Sequence, residues 1–93
     1  MIPTALLAEY IGAFFFILAI FASHGNPLII GGALALVIYL IGAISGGHVN
    51  PAVSTAMWLD SKISTMKLMK YVVAQLLGGA SAYATYRFVQ RGF

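Results

Sequence analysis

Two long apolar segments open this 93-residue chain, and a short polar loop separates them. The first runs from about residue 4 to 23 and contains one charge, Glu9; the second runs from about 27 to 44 and contains none. An α-helix needs about 20 apolar residues to cross a hydrocarbon core of roughly 30 Å. The pattern therefore predicts two transmembrane helices, and the short loop predicts that they are antiparallel neighbours.

A third apolar segment runs from about residue 66 to 88, and Ser64 is its predicted N-cap. Its basic residues lie near its ends, where long side chains reach lipid headgroups: Lys67, Lys70 and Arg87. Small residues recur along it at four-residue spacing, at Ala74, Gly78 and Ala82. Such spacing lets helix backbones approach closely in lipid, although small residues are also simply frequent in membrane helices. This segment is the predicted third transmembrane helix.

Between the second and third segments lies a shorter one, residues 45–59, with a different pattern. It begins with glycines and a histidine, and then Asn50 and Pro51 form a helix start, because asparagine caps free N–H groups and proline fits the first turn. About nine residues follow before Asp60 ends the apolar run, which gives a helix of roughly 13 Å. A helix that enters a membrane and stops halfway needs a partner or a water-filled cavity at its buried end.

Composition agrees with a membrane protein. Hydrophobic residues make up 61% of the chain and charged residues 8%, too few charges for a soluble surface. The chain has no cysteine, which excludes disulfides and thiolate metal sites, and His24 and His48 lie far apart without acidic companions, so no metal or cofactor is expected. The net charge is +3, but the basic residues do not form a patch on a solvated face, so no nucleic-acid partner is expected. A signal peptide is not expected either, because no basic residue precedes the first apolar run.

The predicted fold is therefore an all-α integral membrane protein with three transmembrane helices and one re-entrant half-helix. The passage from Ser45 to Ala56, with its Asn50-Pro51-Ala52 box, resembles the first signature loop of the aquaporin and glycerol-facilitator family. Further matches in the family's order and spacing are Ala8-Glu9-Tyr10-Ile11-Gly12, Ile38-Tyr39-Leu40 and Ala74-Gln75-Leu76-Leu77-Gly78-Gly79-Ala80. The resemblance implies a passive, non-enzymatic channel for water or small neutral solutes.

Family members contain two such repeats, inverted relative to each other, and residues 1–93 resemble one of them. Val53 follows the box where the second repeat typically has an arginine, so the chain resembles the first repeat. The resemblance predicts that a second copy in the opposite orientation, or a partner repeat, completes the pore. A homo-oligomer is therefore expected, an inverted dimer with the family's tetramer of pores as a further step. The basic residues divide three to two between the two sides of the membrane, a weak orientation signal that permits both orientations.

The resemblance also implies roles for individual residues. Asn50 would present its amide at the pore midpoint, Pro51 would set the helix start, and Ala52 would let two boxes touch. Val53 and Ile30 would form a constriction less polar than that of a typical water channel. The remaining predicted pore residues belong to the loop whose backbone carbonyls line the pore: Gly46, Gly47 and His48. For His48, a buried histidine with satisfied hydrogen bonds is an equal alternative.

Glu9 and Gln75 are predicted to be structural polar residues. A carboxylate inside a membrane span is costly unless it is paired or hydrogen-bonded, and the family counterpart of Glu9 binds backbone N–H groups of the re-entrant loop. Gln75 would link helices. Two alternatives to the channel remain: a dual-topology, proton-coupled exporter that uses Glu9, and an inactive half-channel fragment.

Overall fold

The computed structural model describes residues 3–92, so the outermost residues of the predicted 1–93 repeat lie outside the described part. It contains the helices α1 (Thr4–Ala22), α2 (Pro27–Ser45), α3 (Pro51–Leu59) and α4 (Thr65–Gln90). Residues 3–92 include no β-strand. The prediction of an all-α membrane fold is confirmed.

Local capping explains where three of the helices begin. The Asn26 side chain accepts hydrogen bonds from the backbone N–H groups of Leu28 and Ile29 at the start of α2. Asn50 caps α3 through Ala52 N, and Ser64 caps α4 by accepting from Lys67 N. These bonds satisfy donors that a helix N-terminus otherwise leaves free. The caps predicted from the sequence for α3 and α4, Asn50 and Ser64, are the ones the structure uses.

Two helices of the described residues, α1 and α2, are long and apolar enough to cross a membrane. Each has 19 residues and is therefore about 28 Å long. With 26 residues, α4 is longer, but the polar and basic residues along it make it less apolar than the other two. Its membrane crossing remains a prediction, which its length and its packing along α1 support.

The helices α1 and α4 run parallel and pack over most of their length. Glu9 contacts Gln75 near one end, and Phe21 packs against Tyr83 and Tyr86 near the other. Between them, a Cβ placed on Gly78 would lie 2.5 Å from the carbonyl oxygen of Tyr10.

Only a glycine fits where the α1 and α4 backbones touch at Gly78. Ala82 is fully buried in the same interface, whereas Ala74 is half-buried. Two of the three small residues predicted to allow close helix packing therefore lie at this contact.

Helix α2 packs antiparallel on the other side of α1. A Cβ on Gly12 of α1 would come within 2.7 Å of Ile41 of α2 and of Val49 in the following loop. The small apolar core forms here, from Ala13, Val37 and Val49. Because Val49 belongs to this core, the loop after α2 folds into the interior instead of running over the surface.

Helix α3 is the least enclosed element. It packs on α4 and is nine residues long, roughly 13 Å, or under half the thickness of a hydrocarbon core. Before it, residues Gly47, His48 and Val49 are buried, while Asn50, Ala52 and Val53 at its start are exposed. The start of α3 therefore faces open space near the middle of the molecule.

Candidate functional site

A buried carboxylate organises the loop that precedes α3. Glu9 is fully buried, and each of its oxygens accepts two hydrogen bonds. Oε1 accepts from Val49 N at 2.7 Å and Gln75 Nε2 at 2.8 Å, and Oε2 accepts from Ser45 Oγ at 2.6 Å and His48 N at 3.1 Å. Four donors compensate the loss of hydration, which makes a carboxylate tolerable in an apolar interior. Glu9 thereby joins α1, α2, α4 and the loop.

The loop backbone has an uncommon conformation, which these hydrogen bonds hold. Gly46 and Gly47 have φ angles of +94° and +63°, and Val49 has a φ of +47°. The left-handed region is open to glycine but strained for a β-branched residue such as valine. The bond from Val49 N to Glu9 and the burial of the Val49 side chain oppose this strain.

This conformation turns the N–H groups of His48 and Val49 toward Glu9 and leaves the loop carbonyls free. The carbonyl oxygens of residues 46–49 accept no hydrogen bond from any group within residues 3–92. Four successive acceptors are therefore available to a molecule that carries O–H or N–H groups.

Next to Glu9, His48 and Ser54 extend the buried polar network. His48 Nδ1 lies 2.8 Å from Ser54 Oγ, and the ring packs edge-on against Tyr71 at a centroid distance of 5.1 Å. Gln75 Nε2 donates to Ser54 Oγ at 2.9 Å as well as to Glu9. Of the two interpretations left open for the side chain of His48, the hydrogen-bonded buried histidine matches this geometry.

The start of α3 borders a cavity of about 320 Å³. Asn50 Oδ1 accepts from Ala52 N at 2.8 Å, and Pro51 occupies the first helical position. Asn50 and Pro51 line the cavity, together with Gln75 of α4 and with three residues of α1: Ala13, Phe16 and Ile17. The cavity thus lies where α3 begins, between the middle parts of α1 and α4.

Most of the predicted site residues come together in this region. Glu9, Gly47, His48 and Gln75 form or adjoin the buried network, and the exposed residues lie beside it: Gly46, Asn50, Ala52 and Val53. Ile30 lies apart, in the first turn of α2. About 15 residues of helix, roughly 22 Å, separate it from Ser45. Its contribution to a constriction remains a prediction.

Sequence reasoning missed three members of the network: Ser45, Ser54 and Tyr71. Ser45 Oγ donates to Glu9 and accepts from Gly47 N, and the Tyr71 hydroxyl donates to Ser45 O at 2.6 Å. One available signal was spacing, because Tyr71 and Gln75 lie four residues apart and so share a helix face. Ser54 similarly lies one helical turn after Asn50.

Comparison of the sequence with known proteins assigns the chain to a family. The sequence model of the major intrinsic protein family matches residues 23–93. The chain belongs to the major intrinsic protein family. It is therefore an integral membrane protein of a family of channels and transporters, which is not a family of enzymes.

Similar proteins include one named as a glycerol uptake facilitator-like protein and others named as aquaporins. The chain is 37% identical over 89 residues to the glycerol uptake facilitator protein-like 6 of Lactiplantibacillus plantarum, covering 87% of this chain and 41% of that protein. It is 36% identical over 100 residues to nodulin-26 of Glycine max, covering 94% and 37%. Aquaporin-9 of Homo sapiens is 51% identical over 53 residues, covering 57% and 18%. The chain thus spans about two fifths of the length of the first two relatives.

Proposed function

We propose that this chain is one half of a passive transmembrane channel for water or small neutral solutes. A second copy in the opposite orientation, or a partner repeat, completes the pore. The observation that carries the proposal is the half-length helix α3, whose capped start at Asn50 is exposed near the middle of the molecule. A helix of roughly 13 Å leaves the other half of the bilayer to be crossed by something else.

The loop supplies the conducting surface of this half. Because Glu9 binds the N–H groups of His48 and Val49, the carbonyls of residues 46–49 are left to accept hydrogen bonds from a passing molecule. A row of fixed acceptors replaces part of the hydration of a neutral solute without binding it tightly. Polar molecules with O–H or N–H groups are the matching class.

The start of α3 would repel cations electrostatically. The partial positive charge of a helix N-terminus lies at Asn50, and a facing half-helix doubles this field. The side-chain Oδ1 of Asn50 is occupied by its own helix, which leaves the Nδ2 donors free for the oxygen of a solute. Val53, 37% exposed, adds an apolar wall where a second repeat would carry an arginine.

The geometry of Glu9 favours the channel over the proton-coupled exporter. A relay carboxylate must exchange protons with water or substrate, whereas Glu9 is 0% exposed and bound by four donors. Protonation would remove its role as a fourfold acceptor. The structural role therefore accounts for Glu9 without transport chemistry.

Osmotic flow into proteoliposomes tests the channel. Vesicles with the purified chain should swell and shrink faster than empty vesicles in stopped-flow light scattering, with water and with a small polyol as separate osmolytes. Ala52→Trp should return the rate to that of empty vesicles, because a large side chain obstructs the exposed start of α3. Asn50→Asp keeps a good cap but adds a negative charge, and should lower flow and admit cations.

Gly32→Leu is the matched control, because nothing lies within 4 Å of a Cβ at Gly32 on the outer face of α2. It should leave flow unchanged. Inserted protein without flow above that of empty vesicles would contradict the proposal.

Membrane orientation is a separate test of the inverted pair. Reporter tags on the two ends should each be found on both sides of the membrane. A single orientation would exclude a pair of inverted copies and leave only a partner repeat.

A further inference from the structure

Two surface cavities adjoin each other where α1 and α4 begin. The first, of about 250 Å³, lies between the beginnings of the two helices and is lined by residues that include Pro3, Leu6, Ser64, Lys67, Lys70 and Tyr71. The second, of about 360 Å³, lies farther along α4 and is lined by Leu6, Met66, Met69, Lys70, Val73 and Ala74. Because Leu6, Met66 and Lys70 border both cavities, the two form one groove, here called the lysine groove.

The lysine groove is polar at one end and apolar at the other. Lys67 and Lys70 border the end next to Ser64, whereas the wall farther along α4 consists of apolar side chains: Met69, Val73 and Ala74. The apolar wall is about 12 Å long, measured along the helix axis from Met66 to Ala74. Met66, Met69 and Val73 are each more than half exposed, so no other part of residues 3–92 covers this surface.

The protein itself does not neutralise the charge at the polar end. The chain has two acidic residues. Glu9 is buried and bound by four donors, and the Asp60 carboxylate lies 4.0 Å from Lys62 Nζ. Within residues 3–92, Lys67 and Lys70 therefore have no carboxylate partner. They lie three residues apart on one helix face, where two ammonium groups together attract an anion from outside the protein.

The groove lies at the boundary between headgroups and hydrocarbon. Helix α1, which is long and apolar enough to cross a membrane, begins at Thr4, and Leu6 lies in its first turn. Helix α4 has 26 residues and is about 39 Å long, more than the roughly 30 Å of a hydrocarbon core. The lysines in its first two turns therefore reach the headgroups, and the apolar end of the groove faces the acyl chains.

We propose that the lysine groove binds one anionic phospholipid. Its phosphate lies between Lys67 and Lys70, and one of its acyl chains lies along Met69, Val73 and Ala74. Basic pockets between transmembrane helices are suited to anionic headgroups. A phospholipid joins an anion to an apolar chain, which matches the order of the charged and apolar ends of the groove.

The position of Lys67 supports this occupant. Its Nζ lies 5.4 Å from the centre of the Tyr71 ring, and Tyr71 lines the polar end of the groove. This cation–π contact holds an ammonium group at the cavity without neutralising its charge. A zwitterionic phospholipid also has a phosphate, but its cationic group is repelled by the second lysine, Lys70. The groove should therefore distinguish lipids by their net charge.

Native mass spectrometry of the full chain in detergent micelles tests the site, because it resolves single bound lipids. Phosphatidylglycerol should bind more tightly than phosphatidylcholine with the same acyl chains by roughly tenfold or more, since each lysine contributes roughly fivefold. The double variant Lys67→Gln/Lys70→Gln should bind the two lipids with affinities within about twofold of each other. Equal binding of the two lipids by the unmodified chain would refute the proposal.

Lys62→Gln is the matched control for charge. It removes one positive charge from the same end of the molecule, but Lys62 lines neither cavity. The preference for phosphatidylglycerol should therefore remain in this variant. An equal loss of preference in Lys62→Gln and Lys70→Gln would show a general surface attraction and refute a defined site.

Ala74→Phe tests the apolar end of the groove without changing any charge. The large side chain occupies the path of the acyl chain and should weaken phosphatidylglycerol binding roughly tenfold. Ala84→Phe, at an exposed position farther along α4 and outside both cavities, should leave binding unchanged. Circular dichroism should show the same helix content in both variants. Equal lipid binding by the two variants would exclude the acyl-chain position.

Two other occupants would give different spectra. Inorganic phosphate that displaces phosphatidylglycerol at equal concentration would show a site for a bare anion and overturn the lipid assignment. Dimers that form in place of lipid adducts, and that Ala74→Phe weakens, would assign the groove to a second copy and overturn it as well. These measurements do not involve osmotic flow, so the lipid site and the channel can each fail without the other.

Discussion

Replacing Glu9 by glutamine changes one atom of the central carboxylate and almost none of its shape. The amide then has one oxygen and one NH₂ group for four neighbouring donors. If the NH₂ group takes the place of Oε1, both Val49 N and Gln75 Nε2 lose their acceptor. If it takes the place of Oε2, only His48 N loses its acceptor, because Ser45 Oγ can turn its hydrogen toward Ile41 O, 3.4 Å away. The second orientation costs less and should be adopted.

The magnitude follows from these contacts. One buried N–H without an acceptor costs about 1–3 kcal/mol, and the two remaining bonds to Oε1 weaken because a neutral acceptor binds less strongly than a charged one. Relief from burying a charge offsets part of the loss. If the free-energy cost of local opening at the His48 amide falls by about 2 kcal/mol, hydrogen exchange there becomes roughly 30-fold faster.

Amide hydrogen exchange, followed by NMR in micelles, measures this residue by residue. In Glu9→Gln, the His48 amide should exchange roughly 30-fold faster, while the Val49 amide changes less because it keeps its acceptor. Asp60→Asn is the control. The Asp60 carboxylate is exposed and forms only a long ion pair of 4.0 Å with Lys62, which contributes little stability, so hydrogen exchange in the loop should stay the same. Unchanged exchange at His48, or an equal increase throughout α2, would refute the role given to Glu9.

Two further predictions concern packing and the polar network, with stability measured by unfolding in mixed micelles. Gly78→Ala should destabilise the fold by about 1–3 kcal/mol, since its Cβ would lie 2.5 Å from the Tyr10 carbonyl oxygen. Gly31→Ala, whose Cβ meets nothing within 4 Å, should not destabilise it. Equal stability of the two variants would contradict the close α1–α4 contact. Tyr71→Phe should cost about 1–3 kcal/mol because the buried bond of 2.6 Å to Ser45 O is lost. Tyr10→Phe removes a half-buried hydroxyl and should lower the stability by less than Tyr71→Phe does. A larger loss in Tyr10→Phe would show that the Tyr71 hydrogen bond is unimportant.

Local chemistry made the helices predictable from sequence. Asn26, Asn50 and Ser64 cap donors two or three residues away, and such short-range bonds can be inferred from neighbouring letters. The apolar composition likewise determined the membrane environment, because too few charges are present to cover a soluble surface. The half-length of α3, on which the expectation of a partner rests, also followed from the sequence.

The tertiary structure decided the polar site. Glu9 meets Ser45, Val49 and Gln75 across sequence separations of 36, 40 and 66 residues, and no local pattern encodes such pairings. The left-handed backbone of Val49 is equally invisible in the sequence, since valine avoids that region unless surrounding contacts impose it. Helix starts depend on neighbours along the chain, whereas a buried hydrogen-bond network depends on which distant groups the packing brings together.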